Sequence, residues 1–296
     1  MRALRAIDLL RNSSLIFLIS MLLGLVAPGM APYMEQLIIP ALLVMMSFSL
    51  REVDLRAKGD LRGALVGFAL NYGLLSGLII LLSYSLEDEA LRCGFIVMAA
   101  VPPAIAVLPF SRLLQGDVLL SLYSEAISYL ASLVLMPGII FLFTSKTGVN
   151  LGYVIEIAML MILLPIIASR YLRRLKVDSV LPINLGFFVV NYTVIGLNSG
   201  AIFGDFGDIT TVALIALART VGIGIAVYLI SSMMVVSLPK RISYTLFGSY
   251  KNLGMAAAVS LVLFGPEAAL PSAVCVLAET GFYILLAFAR NHASLI

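Results

Sequence analysis

The chain has no tryptophan, one histidine and two cysteines in 296 residues, and only 12% of it is charged. Each shortage removes a class of protein. Two cysteines, Cys93 and Cys275, with one histidine do not make a metal cage or a disulfide framework. Both cysteines fall in apolar stretches, where a thiol behaves as a small core group. The single histidine, His292, lies in the C-terminal tail, so no Ser–His or His-rich hydrolytic arrangement is expected within a membrane span. No cluster of aspartates lies within a span to hold magnesium diphosphate. The expectation is therefore a non-enzyme with no metal and no cofactor. A net charge of +3 calls for no polyanionic partner, and nucleic acid is not expected as one.

What is present is apolar surface. Hydrophobic residues make up 61% of the chain, and the mean hydropathy is +1.09. A soluble domain averages about 45–50% apolar and about 25% charged. A soluble core of this length could not hide so much hydrocarbon, so the bilayer is the expected solvent.

A membrane-crossing helix needs about 20 mostly apolar residues. Ten stretches qualify or nearly qualify: Ser13–Ala27, Glu35–Leu50, Arg62–Leu86, Leu91–Pro109, Val118–Phe143, Gly152–Tyr171, Leu181–Leu197, Ile209–Val236, Ser243–Phe264 and Ala269–Arg290. Their apolar runs do not alternate with period two, which favours helices over barrel strands. With the N-terminus in the cytoplasm, fifteen of the 19 Lys and Arg residues fall on the inner side. Only Arg92 and Lys146 fall outside, and Arg219 and Lys251 lie within spans. That bias predicts both termini cytoplasmic and a multi-pass protein of the cell membrane.

The chain resembles itself at an offset of 149, where Ala64–Gly73 lies over Ala213–Gly222 and Gly116 over Gly265. Five spans per half is an odd number, so two such halves would be inverted, as in transporters. The expected units are residues 1–149 and 150–296. Each half also carries an interruption. The fourth span contains Val101-Pro102-Pro103-Ala104-Ile105-Ala106-Val107-Leu108-Pro109, and proline removes backbone donors. The ninth contains Phe247-Gly248-Ser249-Tyr250-Lys251-Asn252-Leu253-Gly254. Lys251 lies 149 residues after Pro102, so the breaks coincide under the repeat. Paired breaks near the midplane are where such folds bind their cargo.

Four charges inside the spans need a reason, because each costs at least about 2.5–3.5 kcal/mol at the bilayer centre. Glu125 and Lys251 both lie near mid-depth and are expected to pair, either as a structural bridge or as part of a coupling or substrate site. Arg219 and Glu279 are expected to form a second, structural pair. Small polar residues such as Asn71, Ser121 and Ser124 usually bond across helices.

The residues around the breaks resemble those of the bile acid:sodium symporter family. Pro102 through Gly116-Asp117-Val118-Leu-Leu-Ser121 is similar to that family's fourth-span crossover and the turn after it. Asn252-Leu253-Gly254-Met255-Ala256-Ala257-Ala258 is similar to its ninth-span motif. The resemblance implies an all-α protein of ten transmembrane helices with broken helices 4 and 9. It implies a core of helices 3–5 and 8–10, a panel of helices 1–2 and 6–7, and alternating access between them. It also shows a departure. The family's sodium ligands fall on Val107, Leu108, Phe247, Lys251, Glu125 and Asn71, with Ser121 kept as a serine. Most sodium-ligand positions are thus substituted, and an ammonium stands where a cation was liganded.

The expected function is secondary transport of small organic anions, bile-acid-like or small carboxylates, independent of sodium. Lys251, Glu125, Ser121 and Asn71 form the expected ion site. Lys251 takes the part of the sodium ion with Glu125 as counter-charge, and transport is either uncoupled or coupled to a proton shared by that pair. Asn252, Pro103, Ala104, Ile105 and Tyr250 are the expected substrate-facing set. A sodium-coupled symporter with an altered site, an auxin- or metalloid-type efflux carrier, and a non-transporting sensor or channel stand as alternatives.

Overall fold

The computed structural model describes residues 10–11, 13–51, 60–144, 150–175, 177–200 and 206–293. All regular elements among them are helical. In chain order they are α1 (Ser13–Val26), short turns over 28–37, α2 (Ile38–Leu50), α3 (Leu61–Phe68), a π-helical segment (Ala69–Leu75) and α4 (Ser76–Ser83). Then come α5 (Glu89–Ala100), α6 (Val107–Leu113), α7 (Val118–Thr144), α8 (Leu151–Leu172) and α9 (Val180–Leu197). The last elements are α10 (Phe206–Leu217), a second π segment (Ala218–Gly222), α11 (Ile223–Met233), α12 (Leu238–Phe247), α13 (Leu253–Phe264) and α14 (Pro266–Ala293). The junction between the expected halves falls at 145–149, outside the described residues, as do the loop cations Lys58, Lys146 and Lys176.

Among the described residues, seven helical stretches are long and apolar enough to cross a membrane: Pro28–Phe48, Leu61–Ser83, Val118–Thr144, Gly152–Leu172, Val180–Leu197, Ile209–Met233 and Pro266–Arg290. This is a multi-pass helical membrane protein. The remaining three expected crossings do not form long continuous helices: α1 has 14 residues, and the fourth and ninth are each divided in two. Large apolar side chains such as Val134 and Leu142 of α7 point outward, as they must where lipid is the solvent. The second crossing begins earlier than its hydropathy predicts. Pro28 and Pro32 stand in the first turns of short helical pieces, where a missing N–H leaves no bond unmade.

The fourth span breaks at 101–106 and the ninth at 248–252, inside the two interruptions read from the sequence. Helix formation resumes at Val107, before Pro109, because proline is tolerated in a first turn. The two π segments begin 149 residues apart, at Ala69 and Ala218. Glu89 and Leu238, which open α5 and α12, are separated by the same 149.

Helices α1 and α2 pack on α9, and α2 also packs on α8. Helix α5 is sheathed by α4, α7, α13 and α14, and from Cys93 to Ala100 it is buried on every side. Gly94 permits that closeness to α14. A Cβ there would stand 2.1 Å from the Ala268 carbonyl oxygen.

Candidate functional site

The two breaks meet. The Asn252 backbone N–H donates to the Pro102 carbonyl at 3.0 Å. Around that contact the prolines leave chemistry behind. In a continuous helix the carbonyl of Ala99 would accept from the N–H of residue 103, but Pro103 has none. The carbonyls at the end of α5 therefore need donors from elsewhere in the fold.

Lys251 supplies them. Its ammonium nitrogen lies 2.9 Å from Asn71 Oδ1 and 2.9 Å from Ser76 Oγ. It lies 3.1 Å from the Ala99 carbonyl oxygen and 2.9 Å from that of Val101. It also sits 4.4 Å from the centre of the Tyr72 ring, within cation–π range. Four oxygens surround three N–H donors, so at least one contact is shared. None of these oxygens belongs to a carboxylate. The cage is polarised by the negative end of α5, and Lys251 is wholly buried. Ser76 Oγ and Tyr72 Oη donate to the carbonyls of Ala99 and Ala100, completing the cap of that helix.

The second break is capped from both π segments. Asn71 Nδ2 donates to the carbonyls of Phe247 and Tyr250 at 2.9 and 3.0 Å. Arg219 donates to the Ser249 carbonyl at 3.4 Å. Arg219 also pairs with Glu279 at 2.6 Å, with its side chain fully buried. The same Glu279 Oε1 accepts from the Lys251 backbone N–H at 3.1 Å. The pairing of Arg219 with Glu279 agrees with the sequence expectation.

The expected pairing of Lys251 with Glu125 does not form. No ion pair joins them among the described residues. The physical reason is the cage: the broken end of α5 offers the ammonium a complete set of oxygens on the side of α4 and α5. Glu125, on α7, is buried, and its Oε2 has no hydrogen-bond partner among the described residues. Ser121 does not reach the ammonium either. It bonds Ser111 at 2.7 Å and Ser243 at 2.9 Å, joining α6, α7 and α12.

The expected substrate-facing residues are inside the protein. Asn252 caps α13 by accepting from the Met255 N–H, and its amide donates to Tyr129 Oη at 3.0 Å. Pro103, Ala104 and Ile105 lie buried in the first break. Tyr250 donates its hydroxyl proton to the Glu279 carbonyl and packs on Phe110 and Phe282. None of the five lines a cleft of about 500 Å³ between the 28–37 turns, the start of α2 and the end of α13.

Of the expected ion-site residues, the structure brings Lys251 and Asn71 together. It adds Ser76, Tyr72 and two carbonyls that sequence reasoning missed. The miss has a geometric cause. Asn71 and Ser76 are five residues apart, which an α-helix places on different faces, but the π segment between them realigns them. Ser76 Oγ accordingly reaches the Asn71 carbonyl at 3.1 Å. No simple motif announces a π segment.

Crossed broken helices with buried charged and polar side chains at their ends define the class as an integral membrane transporter. Residues 15–278 match the SBF-like CPA transporter family, and the chain belongs to it. That family is bile acid:sodium symporter-like. A comparison with curated proteins finds no match.

Proposed function

We propose that this protein is a secondary transporter of small organic anions that works by alternating access without sodium, the Lys251 ammonium standing as a tethered cation at the crossover. One observation carries the reading: a buried ammonium held by Asn71, Ser76, Ala99 and Val101 oxygens at 2.9–3.1 Å. An oxygen cage of neutral groups suits a hard monovalent cation, and here the cation is covalently fixed. Free sodium has nothing to add at that position. The proposal includes two inverted halves, a core of helices 3–5 and 8–10 that moves against a panel of helices 1–2 and 6–7, and cytoplasmic termini in the cell membrane. The recurrence at a spacing of 149 of the first residues of the π segments, and of α5 and α12, supports the halves. The substrate class rests on the family resemblance.

A proton shared between Lys251 and Glu125 is not part of the proposal, since the two do not pair. Proton coupling would rest on Glu125 alone, with its unpartnered oxygen.

Counterflow of labelled carboxylic acids into proteoliposomes tests the reading. Wild-type exchange is expected to be the same in sodium and in choline buffer. Lys251→Ala is expected to fall to background in choline and to recover part of its rate in sodium, which can then enter the emptied cage. Saturable stimulation of the wild type by sodium would defeat the proposal, as would a fully active, sodium-indifferent Lys251→Ala. Loss of exchange in Glu125→Gln only when a pH gradient drives uptake would place proton coupling there.

A further inference from the structure

The crossover is closed in this structure, but the cleft of about 500 Å³ is not part of it. Its polar wall is Tyr33, Glu35 and Gln36, and its apolar wall includes Ile39, Leu261 and Val262. The volume lies in the range of about 300–1,000 Å³ common for small-molecule sites. Among the described residues no Lys or Arg lines it, and Glu35 forms no ion pair there. The only full charge that these residues place at the site is therefore one unpaired carboxylate.

The floor of the cleft is also defined. Along α2 the chain runs from the lining residue Ile38 to Leu42 and Met45, both fully buried. Along α13 it runs the other way, from Leu261 and Ala258 back to Gly254. A Cβ on Gly254 would stand 3.4 Å from Leu42 Cδ1 and 3.5 Å from Met45 Cε. Leu42 and Met45 thus close against Gly254, two residues from Asn252. They form an apolar plug between the residues that line the cleft and the crossover.

We propose that this cleft is a binding site for a small amphiphile with a protonated amine, its ammonium on Glu35 and its apolar body along Ile39, Leu261 and Val262. The pairing follows from charge: an exposed carboxylate at the mouth attracts an ammonium and repels an acid. The site is distinct from the crossover, and its test does not depend on the transport reading. An occupant lies between α2 and α13, where it obstructs any opening of the Leu42–Met45 plug.

Because the chain has no tryptophan, Tyr33→Trp provides a single reporter on the cleft wall. Purified full-length protein in maltoside micelles, which carry no amine, is titrated with phenethylamine, 3-phenylpropionate and 3-phenylpropanol. Saturable change in the indole emission of this variant is expected with the amine, at least about tenfold weaker with the alcohol, and absent with the acid. Glu35→Gln in the same background is expected to weaken the amine by about tenfold or more while leaving the alcohol unchanged. Thermal stabilisation of the protein without the reporter by phenethylamine, lost in Glu35→Gln, gives the same answer without the tryptophan. Equal binding of acid and amine, or an unchanged Glu35→Gln, overturns the proposal. Displacement of the amine by traces of phosphatidylethanolamine overturns it too, in favour of a lipid as the occupant. None of these readouts requires transport, so they stand or fall apart from the sodium test.

Discussion

Two buried cations sit at the ends of the two broken helices, and they are held in opposite ways. Lys251 faces neutral oxygens at the end of α5. Arg219 faces the carboxylate of Glu279 beside the end of α12. The first arrangement keeps its charge within the cage and is stabilised by carbonyls that prolines leave free. The second cancels its charge locally, and each partner also bonds the backbone of the second break. Their difference teaches that a helix broken by proline and a helix broken by glycine place different demands on their partners. Proline deletes donors, so the fold must import a group rich in N–H. Glycine deletes none, and there an Asn amide and one guanidinium suffice.

The comparison is broken most forcefully at Lys251. Lys251→Met keeps the chain length and removes the donors. The Val101 carbonyl and Asn71 Oδ1 are left without the ammonium, at roughly 1–3 kcal/mol for each buried acceptor stranded. Thermal unfolding in detergent should fall markedly, and exchange should drop to background. A variant that melts and transports like the wild type would show the cage to be incidental.

The second test sharpens the contrast. Arg219→Met strands the buried Glu279 carboxylate and should cost about 3–5 kcal/mol. Arg219→Met with Glu279→Met removes both charges and should regain part of that loss, because no unpaired charge is left, while the Lys251 backbone N–H and the Ser249 carbonyl lose their partners. No such partner variant exists for Lys251, since two of its four acceptors are backbone carbonyls. If the double variant is as unstable as the single one, the loss comes from the bonds to the second break and not from a stranded charge.

The smallest effect belongs to a pair at the other extreme of exposure. Lys240 reaches Asp60 at 2.6 Å, with both side chains partly exposed. Asp60 also caps α3 by accepting from the Gly63 N–H. That bond first, and Lys240 after it, hold the Asp60 carboxyl below its ordinary value of 3.8. A lowered carboxyl stabilises the folded state above the ordinary value, and the contribution disappears as pH falls through the lower folded one. Asp60→Asn, which keeps the cap, should therefore melt slightly below the wild type at neutral pH. The gap should close in acid and shrink with salt. A gap that widens in acid would contradict the assignment.

Much of this architecture was legible in the residues. The interruptions at Pro102–Pro103 and Gly248–Lys251 fall where the helices break, since proline and glycine act locally. The Arg219–Glu279 pair was legible too, because each is a charge that hydrocarbon penalises and the other offsets. The partner of Lys251 was not. Reading the site by charge alone selected Glu125, whereas the fold satisfied the ammonium with carbonyls, which every residue carries and no sequence pattern marks. Ser76 escaped for a related reason, since a π segment shifted it onto the face of Asn71.

By itself the sequence determined the solvent, the helical class and the places where helices stop. These follow from hydrophobic content and from backbone groups that prolines and glycines remove or free. Only the tertiary structure decided what the buried charges touch. Lys251 meets side chains and carbonyls 150–180 positions away along the chain. Such contacts depend on how helices cross, and hydrogen-bond geometry at about 3 Å is settled there.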